Sequence, residues 1–191
     1  MKVELLDATT NPVAKIGRAS AICYDARTDL DSNIRRAKHC KDKGHLTTLR
    51  FAYASFAIEE ISRVCSHQLV RIAHAGILQE SQRYVEQSDV KFVYPAAVAE
   101  IGGDFWARWM KLHDDAKELY AEAIRLGMKK QDARYCLPQS CHTKVNLCLN
   151  FQGWTDFLKN RTSKTAQDEI REVAFEIQRQ LQLIAPEIFC D

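Results

Sequence analysis

Gln68-Leu-Val-Arg71-Ile-Ala-His-Ala-Gly-Ile-Leu-Gln79-Glu-Ser81-Gln-Arg83-Tyr84 is the stretch from which fold and function are both read. Residues 59–73 carry helical spacing, and residues 75–85 leave that helix as a loop and a short strand. On a helix, Gln68 and Arg71 lie three apart and share a face. In an extended segment, Gln79, Ser81 and Arg83 share a face too. If helix and strand converge, two guanidiniums, two carboxamides and a hydroxyl meet, a donor set that suits a phosphate and the edge of a base. A second reading stands beside it. In that one Arg71 and Arg83 pair with Glu59, Glu60 or Glu80 as solvated salt bridges.

Working outward, residues 2–8 read as an opening strand and residues 13–26 and 30–43 as helices. Asp29 or Asp31 can cap the second helix, and Gly44 stops it. The aromatic run 49–58 reads as a buried strand. Asp104 caps a long helix that ends near Gly127. Inside it Trp109, Leu112, Ala116, Leu119, Ala123 and Leu126 recur at spacings of three and four. A last helix, about 164–184, repeats the design with Ala166, Ile170, Val173, Ile177, Leu181 and Ile184. These two stripes either cover a sheet or pack against other subunits. Residues 143–150 alternate polar and apolar and read as a further strand.

A chain of 191 residues favours one domain. Its 46% hydrophobic and 27% charged residues are ordinary for a soluble protein. The net charge of +2 argues against bulk binding to DNA or to a membrane surface, so attraction to anions must be local. No apolar run reaches the roughly 18–20 residues that cross a bilayer. Acids stand near the N-terminus where a signal peptide is apolar, and the chain is read as cytoplasmic. Seven scattered cysteines suit reduced, mostly buried thiols. Cys136, Cys141 and His142 lack the paired spacing of a metal site, so no metal is expected. Arg134, before a Leu-Pro turn, and Arg161, at a helix end, read on their own as structural caps.

The order of these pieces resembles the flavin-dependent thymidylate synthase family over nearly the whole chain. Gly44-His45, Ser66-His-Gln-Leu-Val-Arg71 and Gln79-Glu-Ser-Gln-Arg-Tyr84 follow that layout. So do Ala133-Arg-x-x-Leu-Pro138, Thr143, Asn150, Phe157-Leu-x-x-Arg161 and Ala166-Gln-x-Glu-Ile-Arg171. The resemblance implies an α+β (α/β) fold, a central, mainly antiparallel twisted sheet flanked by long helices, as a single domain over 1–191. It implies a homotetramer whose active sites form where subunits meet. The implied reaction moves a one-carbon unit from methylenetetrahydrofolate to C5 of dUMP, with FAD carrying reducing equivalents from NADPH. By the resemblance, Arg161 and Ser81 are the catalytic residues, Arg161 as the cation at the ring edge, and Ser81 and Arg83 hold the nucleotide. Gln68, Arg71, Gln79 and Arg134 are further nucleotide contacts. Arg71 and Asn150 meet the flavin. No cysteine nucleophile is implied.

The pattern also breaks. The Arg-His-Arg of the family signature is Arg71-Ile72-Ala73 here, and Ile72 and Ala73 have no side-chain donor. The usual glutamate is Gln79, the family's Asn-x-Arg is Asn150-Phe151-Gln152, and family histidines are replaced at Thr165 and Phe51. Most retained positions belong to the nucleotide and most lost ones to the flavin. Three readings follow: a divergent flavin-dependent thymidylate synthase, an enzyme that methylates or hydroxymethylates C5 of another pyrimidine nucleotide, or a non-catalytic nucleotide-binding relative.

Overall fold

In the computed structural model, which describes residues 1–190, the chain runs β1 (Lys2–Ala8), α1 (Pro12–Ala21), α2 (Leu30–Asp42), β2 (Tyr53–Ser62), α3 (Arg63–Leu69) and β3 (Gly76–Gln79). It continues through α4 (Ala96–Ile101), α5 (Gly103–Arg125), α6 (Lys130–Ala133), β4 (His142–Asn150), α7 (Phe151–Arg161), α8 (Asp168–Ile184) and α9 (Pro186–Phe189). The strands form one sheet in the order β1-β2-β4-β3. Its register is antiparallel: Thr9 N–H donates to Tyr53 O at 3.0 Å, Phe151 N–H to Ala52 O at 2.8 Å and Glu80 N–H to Lys144 O at 3.0 Å. The fold is therefore α+β, as expected.

The chain divides into two compact units. One holds Met1–Ile58, Arg71–Leu78 and the chain from Asn146 onward; the other holds Glu59–Val70 and Gln79–Val145. In the first unit the core comes from period-two alternation meeting period-3.6 stripes. Ala54, Phe56 and Ile58 of β2 and Leu147 and Leu149 of β4 are buried, as are Phe151, Trp154 and Phe157 of α7. The α8 stripe is buried at Ile170, Val173, Ile177 and Leu181. Fully burying each such side chain contributes about 1.5–3 kcal/mol. Asp29 caps α2 by accepting from Ser32 N–H at 2.9 Å, which settles the choice between Asp29 and Asp31. Gly17 is required where α1 crosses α2, because a Cβ there would lie 1.8 Å from Asn33 O.

Several expectations are corrected. The aromatic run does not begin as a strand: residues Leu46–Phe51 form a 3-10 turn, because Thr48 N–H and its hydroxyl both bond the His45 carbonyl. The strand then runs four residues past Ile58 to Ser62, with Glu60 in the left-handed region at φ 57. The following helix is thus only Arg63–Leu69, capped by Ser62, whose hydroxyl accepts from Cys65 N–H at 3.0 Å. Asp104 lies in the first turn of α5 and is not its cap. Gly102 holds that place at φ 64, a conformation favoured for glycine, and it separates α4 from α5.

In the second unit the α5 stripe is not the buried face. Leu112, Leu119 and Leu126 are 60%, 54% and 81% exposed, while the residues buried on this helix are His113 and Tyr120. The core face is the adjacent one, set by polar anchors. His113 Nε2 lies 2.6 Å from Ser140 Oγ, and its ring packs edge-on against Phe92 and Tyr94. Tyr120 OH accepts from Gln87 N–H at 3.1 Å.

The thiols are also less buried than expected. Cys40, Cys65 and Cys141 are buried, Cys136 and Cys148 half-buried, and Cys23 and Cys190 exposed, in a turn and past the last helix. None of the seven is in a disulfide. Burial pushes the Cys141 thiol up to about 11, consistent with a packing role. No helix among the described residues is long and apolar enough to cross a membrane.

Candidate functional site

Gln68, Gln79, Ser81, Arg83 and Arg134 all fall in the second unit, while Arg71, Asn150 and Arg161 fall in the first. Gln68 is half-buried near the end of α3. Arg71 does not share a helical face with it, because α3 stops at Leu69 and Arg71 lies in the turn beyond, exposed.

Ser81 and Arg83 do not continue the strand either. β3 ends at Gln79, and the carbonyl of Ser81 accepts from Tyr84 N–H at 3.0 Å and Val85 N–H at 2.9 Å, closing a turn. Arg83 N–H donates to Ser81 Oγ at 3.3 Å. The Ser81 hydroxyl thus has an acceptor role already filled, and its own proton remains to be donated. The Arg83 guanidinium lies 5.6 Å from the Tyr84 ring centroid.

The solvated-salt-bridge reading does not describe this turn. Glu80 pairs with Lys144 at 3.4 Å, and neither Arg71 nor Arg83 has a carboxylate partner among the described residues. Arg134 is half-buried in a 3-10 turn and donates from Nε to Gln131 O at 3.2 Å. Lys130, on α6 just before it, reaches back to Tyr84 O at 3.1 Å and so ties this segment to the Ser81 turn.

One residue in this cluster carried no signal in the sequence. Arg63 opens α3 and faces Arg134 and Glu80. Its Nη1 is buried without a hydrogen-bond partner. Burial holds this guanidinium below its usual range, and repulsion from Arg134 adds to that; Cys141 and Glu80 act the other way. Two neighbouring guanidiniums with an orphaned donor make a poor resting arrangement and a good anion receptor. Gln82, next to Ser81, is 6% exposed and its Nε2 is likewise unpartnered.

A separate cleft of about 350 Å³ in the same unit does not suit a phosphate. Glu59, Glu60, Glu86 and Asp89 outweigh Lys91 and Lys144 along its wall, and neither Ser81 nor Arg134 reaches it.

In the first unit, Arg161 is the half-buried last residue of α7. Asn150 caps the same helix: its Oδ1 accepts from Gly153 N–H at 2.9 Å, which leaves its NH₂ to donate. Gln152, standing where the family has arginine, accepts from Arg50 Nε at 2.6 Å, so a guanidinium is present beside that position after all. Arg71 makes no hydrogen bond or ion pair among the described residues. Ile72 is half-buried and Ala73 exposed, and neither supplies a donor. Arg50, Arg71 and the Asn150 amide are side-chain donors of the first unit whose chemistry suits a diphosphate and ring carbonyls. Among the described residues no group of three His, Cys, Asp or Glu could hold a metal ion.

The thymidylate synthase complementing protein family matches residues 4–187. A flavin-dependent thymidylate synthase of Pyrococcus furiosus is 33% identical over 189 residues, covering 93% of this chain and 77% of its own length. One from Thermococcus onnurineus is 34% identical over the same shares. One from Mycobacterium tuberculosis is 32% identical over 204 residues, covering 97% of this chain and 81% of its own.

Proposed function

Because the chain belongs to the flavin-dependent thymidylate synthase family, we propose that it moves a one-carbon unit from methylenetetrahydrofolate to C5 of dUMP, with reduction through FAD. The observation that carries this is the family match over residues 4–187, and the whole chain is read as one domain of that family.

C5 of uracil is a weak nucleophile. A fixed cation at the ring edge stabilises the form deprotonated at N3 and so strengthens C5. We assign that cation to Arg161. The Ser81 hydroxyl and the guanidiniums of Arg83 and Arg134 take the phosphate, with Arg63 beside Arg134. Gln68 reads the base edge, and Arg71 serves both nucleotide and flavin. When bound there, a flavin would supply reducing equivalents drawn from NADPH. Arg50, Arg71 and the Asn150 amide would hold it in place of the lost histidine and arginines. Seven cysteines outside disulfides suit work in a reducing cytoplasm.

Mass analysis of the product formed from dUMP, methylenetetrahydrofolate, FAD and NADPH tests the reaction. The expected product is dTMP. A hydroxymethylated nucleotide, or dUMP recovered unchanged, overturns it.

We also assign the α5 stripe to contacts between copies in a homotetramer. Its alternating spacing of three and four is that of a helix–helix seam, and its leucines lie exposed on the isolated chain. Leu112→Glu combined with Leu119→Glu is expected to convert the tetramer to smaller species in sedimentation while helix content holds. A double variant that sediments like the parent removes α5 from the interface.

A further inference from the structure

We infer that Gln79 is a positioning residue, whose carboxamide locks α3, β3 and β4 into one node that sets the nucleotide grip; this rests on the nucleotide reading above. The direction of each hydrogen bond fixes the amide. The single Ser66 hydroxyl proton is committed to Arg63 O at 3.1 Å. Toward Gln79, Ser66 Oγ is therefore an acceptor, and it is Gln79 Nε2 that approaches it, at 2.9 Å. The second Nε2 proton goes to Thr143 Oγ1 at 3.2 Å. Both donors of the amide are used within the protein.

Ser66 is fully buried and Thr143 nearly so, so water does not compete for these bonds. α3 has seven residues, too short to hold its shape unaided. Backbone bonds pin its start: Arg63 N–H to Cys141 O at 3.1 Å and Val64 N–H to Gln139 O at 3.2 Å. The end of β3 is pinned by Glu80 N–H to Lys144 O. Gln79 ties these pieces together. Gln68 lies two residues beyond Ser66, Ser81 lies two beyond Gln79, and Arg63 opens the same helix, so the node sets the spacing of groups assigned to the nucleotide.

Glutamate, the usual family residue here, cannot make this node without reversing both hydroxyls. A carboxylate only accepts, so Ser66 would have to release Arg63 O to meet it. The protonated acid regains one donor.

The test is calorimetric dUMP binding by the wild type and by Gln79→Leu, Ser66→Ala, Thr143→Val, Gln79→Glu and the double variant Gln79→Leu with Ser66→Ala. Gln79→Leu is expected to weaken binding roughly 10-fold or more. Ser66→Ala and Thr143→Val should weaken it in the same direction, and the double variant should be no weaker than Gln79→Leu alone. Relative to the wild type at each pH, Gln79→Glu should bind weakly near neutrality and recover as pH falls through the carboxyl range, where the acid becomes neutral and can donate. Weakening by Gln79→Leu with wild-type affinity in Ser66→Ala and Thr143→Val would put Gln79 on the ligand and overturn the node. Unchanged affinity in every variant overturns it as well and leaves the nucleotide reading standing. A wild type that binds no dUMP sinks both. Should Gln79→Leu fail to fold, the two hydroxyl deletions and the pH response of Gln79→Glu still decide.

Discussion

Arg161→Ala is expected to abolish turnover and to leave the fold intact. The side chain sits at the end of α7, while the residues that seat this helix are Phe151, Trp154, Phe157 and Leu158. As the last-turn cation of the helix it contributes about 0.3–1 kcal/mol through the helix dipole. In the proposed role, as the charge that stabilises the deprotonated pyrimidine, it is worth far more: removing one such preorganised group typically costs about 10²–10³ in kcat. The two effects therefore separate in one variant. The rate of dTMP formation should fall by at least that factor, and the thermal midpoint should move by no more than a few degrees. Arg161→Lys keeps the charge and loses the planar fork, so it should fall between wild type and alanine. Full activity in the alanine variant would show that the ring-edge cation is another residue.

The parts of the fold legible in the sequence were those where one physical signal acted alone. β4 alternates because one face is buried, and its polar positions Lys144 and Asn146 are exposed as the period-two pattern requires. The α8 stripe is buried from Ile170 to Leu181 for the same kind of reason, while the helix begins only at Asp168, leaving Ala166 before it, and Ile184 is half-buried. Errors arose where two signals competed. The run 49–58 has strand composition throughout, yet its first residues obey the Thr48 hydroxyl and turn. At 59–62 helical spacing and strand burial both fit; Ser62 decides by capping α3, and the strand prevails up to it. The α5 stripe was visible as a stripe, but periodicity cannot say what covers it. The sequence pattern gave no reason to expect His113 and Tyr120 on the buried face.

The candidate site divides in a similar way. Positions in short motifs were found, while the geometry joining them was not. Ser81 and Arg83 were expected on a strand face and stand in a turn, because the Ser81 carbonyl collects two amide protons. Arg63 is not legible in the sequence, since nothing in its neighbourhood in the chain is unusual. Its signal is an orphaned nitrogen facing Arg134, seventy-one positions away in the chain, and such a pairing exists only in three dimensions. The Arg50–Gln152 bond is of the same kind. The charge missing from one position of the pattern is supplied from a distant one.

Trp154→Ala should be the most damaging single change to stability. The indole is fully buried in the first unit. Its ring meets Phe56 edge-on at 5.1 Å and Phe157 at 5.6 Å between centroids, and its Nε1–H donates to Ala54 O at 3.0 Å. Truncation removes the transfer energy of the ring, leaves a cavity at the junction of β2 and α7, and strands a carbonyl. Such losses come to about 3–5 kcal/mol, a large share of the roughly 5–15 kcal/mol that holds a typical domain together. Urea denaturation should show the midpoint falling accordingly, with the thermal midpoint lower by about 6–20 °C for a chain of this size. Trp154→Phe separates the terms: it keeps most of the packing and loses the hydrogen bond, so its cost should be about 1–3 kcal/mol, the penalty for an unpaired buried acceptor. If the phenylalanine variant were as unstable as alanine, the ring's volume would be irrelevant and the Ala54 bond would dominate. If both were as stable as wild type, the indole would not be a core element of this unit. Asn150 and Arg161 stand at the two ends of the helix that Trp154 seats. The alanine variant should therefore lose dTMP synthesis as it melts, at temperatures where Arg161→Ala is still folded and already inactive.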